Sequence, residues 1–351
     1  MRAALLLLIA SAVQAQPFIG NEVVWRTPSP AATYSPSPQA ARIEPDGDGY
    51  VVAWSEVEDG ISRAYAGRLD GAGRLETVGV HTAGVADAPA IASFGGRYIV
   101  AWVEPGAVDA RPSLVIGALD RDFKLIGARP LGLTSSPPIV RTEVVRAYVA
   151  SGNFLYEVDV DGAPLVVYDV PHPLDDMAAA GDQLGYVFHS KTPLNVVGFT
   201  WLYRLTTGRL LSPIDLPAAV ASNGSSFLVI WNEASPRRLD GSLFGTSFKP
   251  FTISTRVGTA IDKLEQPQAA WDGSRWLVVW PRGDTIEAAV IGADLSVKPF
   301  TLSARGRRPA VASGKPGRFV VTYEIVDPSE RRLSSRIIDF NPLVEHGRAV
   351  R

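Results

Sequence analysis

One feature constrains this chain more than any other: a segment of about 45 residues that returns along most of its length. Five copies align, namely RIEPDGDGYVVAWSE from Arg42, PAIASFGGRYIVAWVE from Pro89, AAVASNGSSFLVIWNE from Ala218, PQAAWDGSRWLVVWPR from Pro267 and PAVASGKPGRFVVTYE from Pro309. Each reads as a short apolar stretch, a Gly-containing turn, and a second apolar stretch closed by an aromatic. The closing aromatics are Trp54, Trp102, Trp231, Trp280 and Tyr323, separated by 48, 129, 49 and 43 residues. The 129-residue gap is three periods of 43, so it predicts two degenerate copies, one closing near Tyr148 and one near Phe188. Seven copies result.

Within a copy the second stretch alternates with period two, so in Tyr98-Ile99-Val100-Ala101-Trp102 one face carries Tyr98, Val100 and Trp102 and the other Ile99 and Ala101. Both faces are apolar, which requires a strand covered on both sides. A further alternation ends in an Asp turn (AYAGRLDGAGRL, LVIGALDRDFKL), and another short apolar stretch follows it. Four short strands per period indicate an all-β fold, a seven-bladed β-propeller of four-stranded antiparallel blades. Each blade alone is a marginal sheet, and closure of the ring lets aromatic residues bury between neighbours. Either the N-terminal EVVWRT or the C-terminal EHGRAV is expected to complete the last blade.

The rest of the composition agrees. Gly at 32 and Pro at 27 suit turns and disfavour a helical bundle. The absence of Cys removes disulfides, thiolate nucleophiles and Cys-ligated metals. A net charge of -2 counts against a nucleic-acid partner. Met1-Arg2, the apolar run Ala3–Val13 and the small residues Val13 and Ala15 predict a secretory signal over residues 1–15. That run is too short to span a membrane, and no later stretch approaches the required length. Residues 16–39 are expected to hold an N-terminal strand and a Pro/Ser-rich linker, and 40–351 the propeller.

The pattern P-x-[IV]-A-x-x-G-x-x-[YFW]-h-V-h-W, where h is apolar, resembles the repeat of secreted bacterial β-propeller proteins. The resemblance implies the fold and export to the periplasm or medium, and it is silent on activity, because propellers host enzymes and binding modules alike.

Three sets of residues could carry chemistry. Just past the closing aromatics stand Glu56, Glu104, Glu233 and Arg282, expected on one loop rim, where they could bind a cation, a sugar or a basic peptide or simply cap strand ends. His172, Asp175, Asp176 and His189 break the periodicity near blade four, and two imidazoles with two carboxylates suit a divalent metal or acid–base catalysis. Arg305, Arg307 and Arg308 enter the seventh blade and could pair with an anion. The aspartates Asp70, Asp120, Asp161, Asp240, Asp294 and Asp339 read as turn formers. The sequence contains no Walker loop, dinucleotide fingerprint, HExxH or G-x-S-x-G. These observations predict a monomeric binding module for a glycan, peptide or envelope protein, without a cofactor. A hydrolase or lyase with its site near blade four and an inert envelope component are the alternatives.

Overall fold

The computed structural model describes residues 17–26, 42–58, 61–81, 86–104, 112–134, 136–143, 145–170, 173–180, 183–190, 196–201, 204–211, 218–234, 237–244, 250–255, 266–327 and 330–340. Their strands form seven antiparallel sheets. Six are four-stranded meanders, and their innermost strands are Arg42–Asp46, Asp87–Phe94, Ile139–Thr142, Asp176–Ala180, Ala219–Ser222 and Gln268–Trp271. The seventh runs through Arg307–Lys315, Arg318–Asp327 and Glu330–Asp339.

The seventh sheet takes its outer strand from the other end of the chain. Phe18–Ile19 and Val23–Arg26 both pair with Glu330–Asp339, setting Phe18 opposite Asp339 and Val23 opposite Ser335. The N-terminal segment therefore fastens the ring, and the EHGRAV segment lies outside the described residues. Glu22 lies between the two fastening strands, and its carboxylate accepts the Tyr323 hydroxyl at 2.8 Å.

Seven apolar clusters are found among the described residues, one at each seam between neighbouring blades. The strand period explains their make-up. In blades one, two and six the first and last aromatics of the second strand share a face and pack on the preceding blade: Tyr50 and Trp54 on blade seven, Tyr98 and Trp102 on blade one, Trp276 and Trp280 on blade five. The intervening residues, Ile99 and Ala101 in blade two, pack on the following blade. A glycine in the third strand makes room for the tryptophan. A Cβ on Gly67 would lie 3.4 Å from the Trp54 ring, and one on Gly117 would lie 3.3 Å from Trp102.

Two features of the sequence reading need correction. Phe188 occupies the closing position of blade four and faces blade three. Tyr148, however, does not close blade three. Pairing of Val140 with Val149 matches that of Ile91 with Val100, which places Ser151 in the slot of Trp102 and Tyr148 in that of Ile99. Tyr148 accordingly faces blade four, not blade two. The turn aspartates also divide. Asp70 and Asp120 accept the N–H groups two and four residues ahead, and Asp294 accepts the Ser296 N–H. In blade three Asp159 does this, while Asp161 pairs with Arg97 of blade two. Asp240 is buried in a third strand beside Arg238, and Asp339 ends a strand beside Arg318.

Candidate functional site

Two of the carboxylates expected on the rim, Glu56 and Glu104, are occupied by the scaffold. Two residues apart on one strand face, a Trp and a Glu point the same way, so the indole reaches the carboxylate. Trp54 donates its indole N–H to Glu56 at 2.7 Å, and Trp102 donates to Glu104 at 3.0 Å. Glu56 is wholly buried and Glu104 half-buried. In these two copies the indole bond, not a backbone cap, accounts for the W-x-E spacing. Glu233 lies in the strand Phe227–Ala234 at the same spacing from Trp231, with its side chain outside the described part. Arg282 is exposed and reaches Glu287 at 3.5 Å.

Of the blade-four set, the two aspartates have described side chains. Asp175 and Asp176 are buried and stitch blade four to blade five. Asp175 Oδ2 accepts the Ala218 N–H at 3.2 Å, and Asp176 Oδ2 accepts the Val220 N–H at 3.2 Å. His172 lies outside the described residues. His189 sits in the strand Gln183–Ser190 opposite Val197, and its side chain is outside the described part. Of the three arginines, Arg307 makes two bonds to Asp284, at 2.6 and 2.9 Å, and Arg308 reaches Glu324 at 3.3 Å. Arg305 is exposed, and its backbone carbonyl accepts the Ser303 hydroxyl.

A different cluster emerges at the axis of the ring. The inner strands run down from the rim, and matched register places two rings of side chains along the channel. In three copies the residues there are small: Ala90 and Ala92, Ala219 and Ala221, Ala310 and Ala312. Blade one carries Arg42 and Glu44 instead, blade three Arg141 at the lower level, and blade four Asp176 at the upper. Alanines leave the space that these four long side chains fill. Arg141 binds Glu44 at 2.7 Å and Asp176 at 3.0 Å, and its Nε donates to the Met177 carbonyl at 2.9 Å. One guanidinium thus links three blades.

The electrostatics follow from burial. Burial drives the Arg42 guanidinium down to about 10, against the pull of Asp176, so it stays charged at neutral pH. Burial raises the Glu44 carboxyl, with Arg141 and Arg42 opposing. Burial also depresses Arg141, but Glu44 and Asp176 outweigh it and the net direction is upward. Glu44 is the most accessible of the ion-paired groups, its side chain 24% exposed against 2% for Asp176. Beside them a cavity of about 290 Å³ opens in the channel, bordered across the axis by Ser222, Gln268 and Ser313. Two guanidinium groups, one accessible carboxylate and neutral hydroxyl and amide groups suit a small polar ligand that both donates and accepts hydrogen bonds.

Sequence reasoning passed over Arg42, Glu44 and Arg141, although a signal was present. In an alignment of copies they are departures from alanine, R-I-E against A-I-A and A-V-A.

No protein-family model matches the chain, and no curated protein does either. Solved structures do. The WD40 domain of coronin from Toxoplasma gondii superimposes with a TM-score of 0.57 at 10% identity, over 92% of this chain and 88% of that one. The β-propeller domain of the Trilobed protease from Pyrococcus furiosus gives 0.55 at 9% identity, over 87% and 95%. The β-propeller domain of Cps50 (Swd1) from Myceliophteria thermophila gives 0.54 at 10%, over 90% and 99%. The Pyrococcus domain is described as having an open velcro topology, whereas here Phe18–Ile19 and Val23–Arg26 complete blade seven. At such identities the likeness is one of fold, and that fold is the seven-bladed β-propeller.

Proposed function

We propose that this chain is an exported β-propeller binding module that engages a glycan, a peptide or an envelope protein at its loop rim, with a polar group of the ligand reaching into the central channel. One observation carries the reading: Arg42, Glu44, Arg141 and Asp176 are charged at positions where three copies of the repeat have only alanine, and three of them line a cavity on the axis with Glu44 accessible. A charge that the other copies of the repeat do without is the kind of residue a ligand site uses. The export signal over residues 1–15 and the resemblance to secreted bacterial propellers support a periplasmic or extracellular setting.

The test is a glycan and peptide array probed with the wild type and with Glu44→Gln. Binding that falls at least tenfold in the variant supports the channel site. Binding that is unchanged overturns it, and no binding to any ligand class overturns the module reading. Mass spectrometry of the exported protein is expected to show Gln16 as its first residue.

A second reading, an inert envelope component, is favoured by the internal charge balance: two guanidinium groups face two carboxylates and neutralise one another. Against the hydrolase reading, Asp175 and Asp176 are buried and each accepts a backbone N–H group of the next blade.

A further inference from the structure

The outer strand of a blade is an open sheet edge unless something covers it. Blade seven is covered by the N-terminal strands. Five of the other six outer strands carry devices that blunt pairing with another chain. Glu76 and two register breaks interrupt Leu75–His81. Arg129, Pro130 and two breaks interrupt Leu125–Leu133. Arg204–Leu211 carries Arg204 and Arg209, and Val297–Ser303 carries Lys298 and Pro299. Pro250–Ser254 opens on a proline and breaks register after Thr252.

The outer strand of blade three, Pro164–Asp169 (PLVVYD), differs. Its proline and its register break both lie at the turn end, and Val166–Asp169 then pairs with Phe154–Glu157 without interruption. Its one charge is Asp169, at the far end. Leu165, Val166 and Val167 are 62%, 40% and 53% exposed. Val170 donates its N–H to the Asn153 carbonyl, so the alternation of an antiparallel ladder directs Tyr168 and Val166 inward and leaves the backbone groups of Val167 and Asp169 facing out.

We propose that this edge joins two copies of the chain, their Pro164–Asp169 strands pairing antiparallel about Val167 to make one eight-stranded sheet. Charge and shape favour a second copy as the occupant. The two-fold arrangement sets Val167 opposite Val167 and places Val166 opposite Tyr168 twice, aliphatic and aromatic pairs that stabilise a ladder. It also keeps the two Asp169 carboxylates at opposite ends, ~13 Å apart along the strands. The short edge makes the dimer weak and reversible, in contrast to the monomer expected from sequence.

Sedimentation of the purified chain from about 5 to about 500 μM tests this. The mass is expected to rise towards that of a dimer. Val167→Lys, which sets two like charges opposite each other, is expected to weaken association at least tenfold. Val78→Lys, on the similarly exposed outer strand of blade one, is expected to leave it unchanged. Thermal unfolding at the lowest concentration shows that both variants are folded. A monomer throughout the range overturns the proposal, as does a dimer that survives Val167→Lys or is lost in Val78→Lys.

Discussion

Blades two and three are neighbours with the same topology, yet they meet the preceding sheet by different means. Blade two presents Tyr98 and Trp102 to blade one, the indole tied to Glu104 and its ring laid over Gly117. Blade three presents Ala147 and Ser151 at the same places. Its bulk has moved to the opposite face, where Tyr148 packs on blade four. The vacated seam is tied by polar bonds: Ser151 Oγ lies 2.6 Å from Thr134 Oγ1 and donates to the Ser136 carbonyl at 2.7 Å, both on the segment arriving from blade two. A ring of wedges therefore does not need an aromatic at every seam, provided that the neighbouring seam takes the volume and the buried hydroxyls find partners.

The largest test of that contrast is a pair of truncations. Trp102→Ala removes a buried ring and leaves Glu104 without its indole donor, at an expected cost of about 3–5 kcal/mol in urea unfolding. Ser151→Ala removes one hydroxyl and is expected to cost about 1 kcal/mol. If the two costs were equal, the seams would share a mechanism that the packing does not reveal.

Next in size is the axis. Arg141→Met strands Asp176 and Glu44 without their shared guanidinium, an expected loss of about 3 kcal/mol at neutral pH. Adding Glu44→Gln to that background is expected to restore part of the loss, because it removes one of the stranded charges. Additive losses in the double variant would show that Glu44 is stabilised by groups other than Arg141.

The contrast between the two blades also marks how far the sequence could be read. Six closing positions, from Trp54 to Tyr323, were legible because an aromatic at the end of an alternating strand has one way to be buried. The seventh was not. In VVRAYVAS the tyrosine sits three residues before the closing position, and only cross-strand register, a tertiary property, shows that it points the other way. The candidate site divides along the same line. Glu56 and Glu104 were visible as periodic residues, but their indole partners become evident only once strand faces are assigned. Asp176 was visible as an aperiodic acid. Its partners Glu44 and Arg141 lie far from it in sequence and on different blades, so nothing local connects them.

Blade seven supplies a third kind of seam, closed by an aromatic that is also polar. The Tyr323 hydroxyl donates to Glu22 at 2.8 Å and accepts from Arg336 at 2.9 Å. Burial, followed by the Glu22 carboxylate, pushes the phenol up to about 12. Its folded value exceeds its ordinary one of about 10, so the stability it confers is complete below pH 10 and lost as pH rises from 10 towards 12. The expected loss across that window is about 2 kcal/mol. Thermal unfolding followed against pH is expected to show this fall in the wild type and a flatter profile in Tyr323→Phe. The same fall in both would assign it to other alkaline groups.

The smallest effect tests where the two blades should not differ at all. Asp120 and Asp159 hold the same turn in blades two and three, each accepting the N–H groups two and four residues ahead at 2.8 to 2.9 Å. Backbone φ at the fourth turn residue is 61° for Phe123 and 74° for Gly162, so the chain path is shared even though one residue is glycine. The left-handed conformation strains Phe123, which is held in place by stacking on Tyr98 with ring centroids 4.7 Å apart. Replacing either aspartate by alanine is expected to cost about 1 kcal/mol, since water satisfies the freed donors in an exposed turn. A markedly larger loss for Asp120→Ala than for Asp159→Ala would show that the aspartate turn, and not the stack, supplies what the strained Phe123 backbone requires.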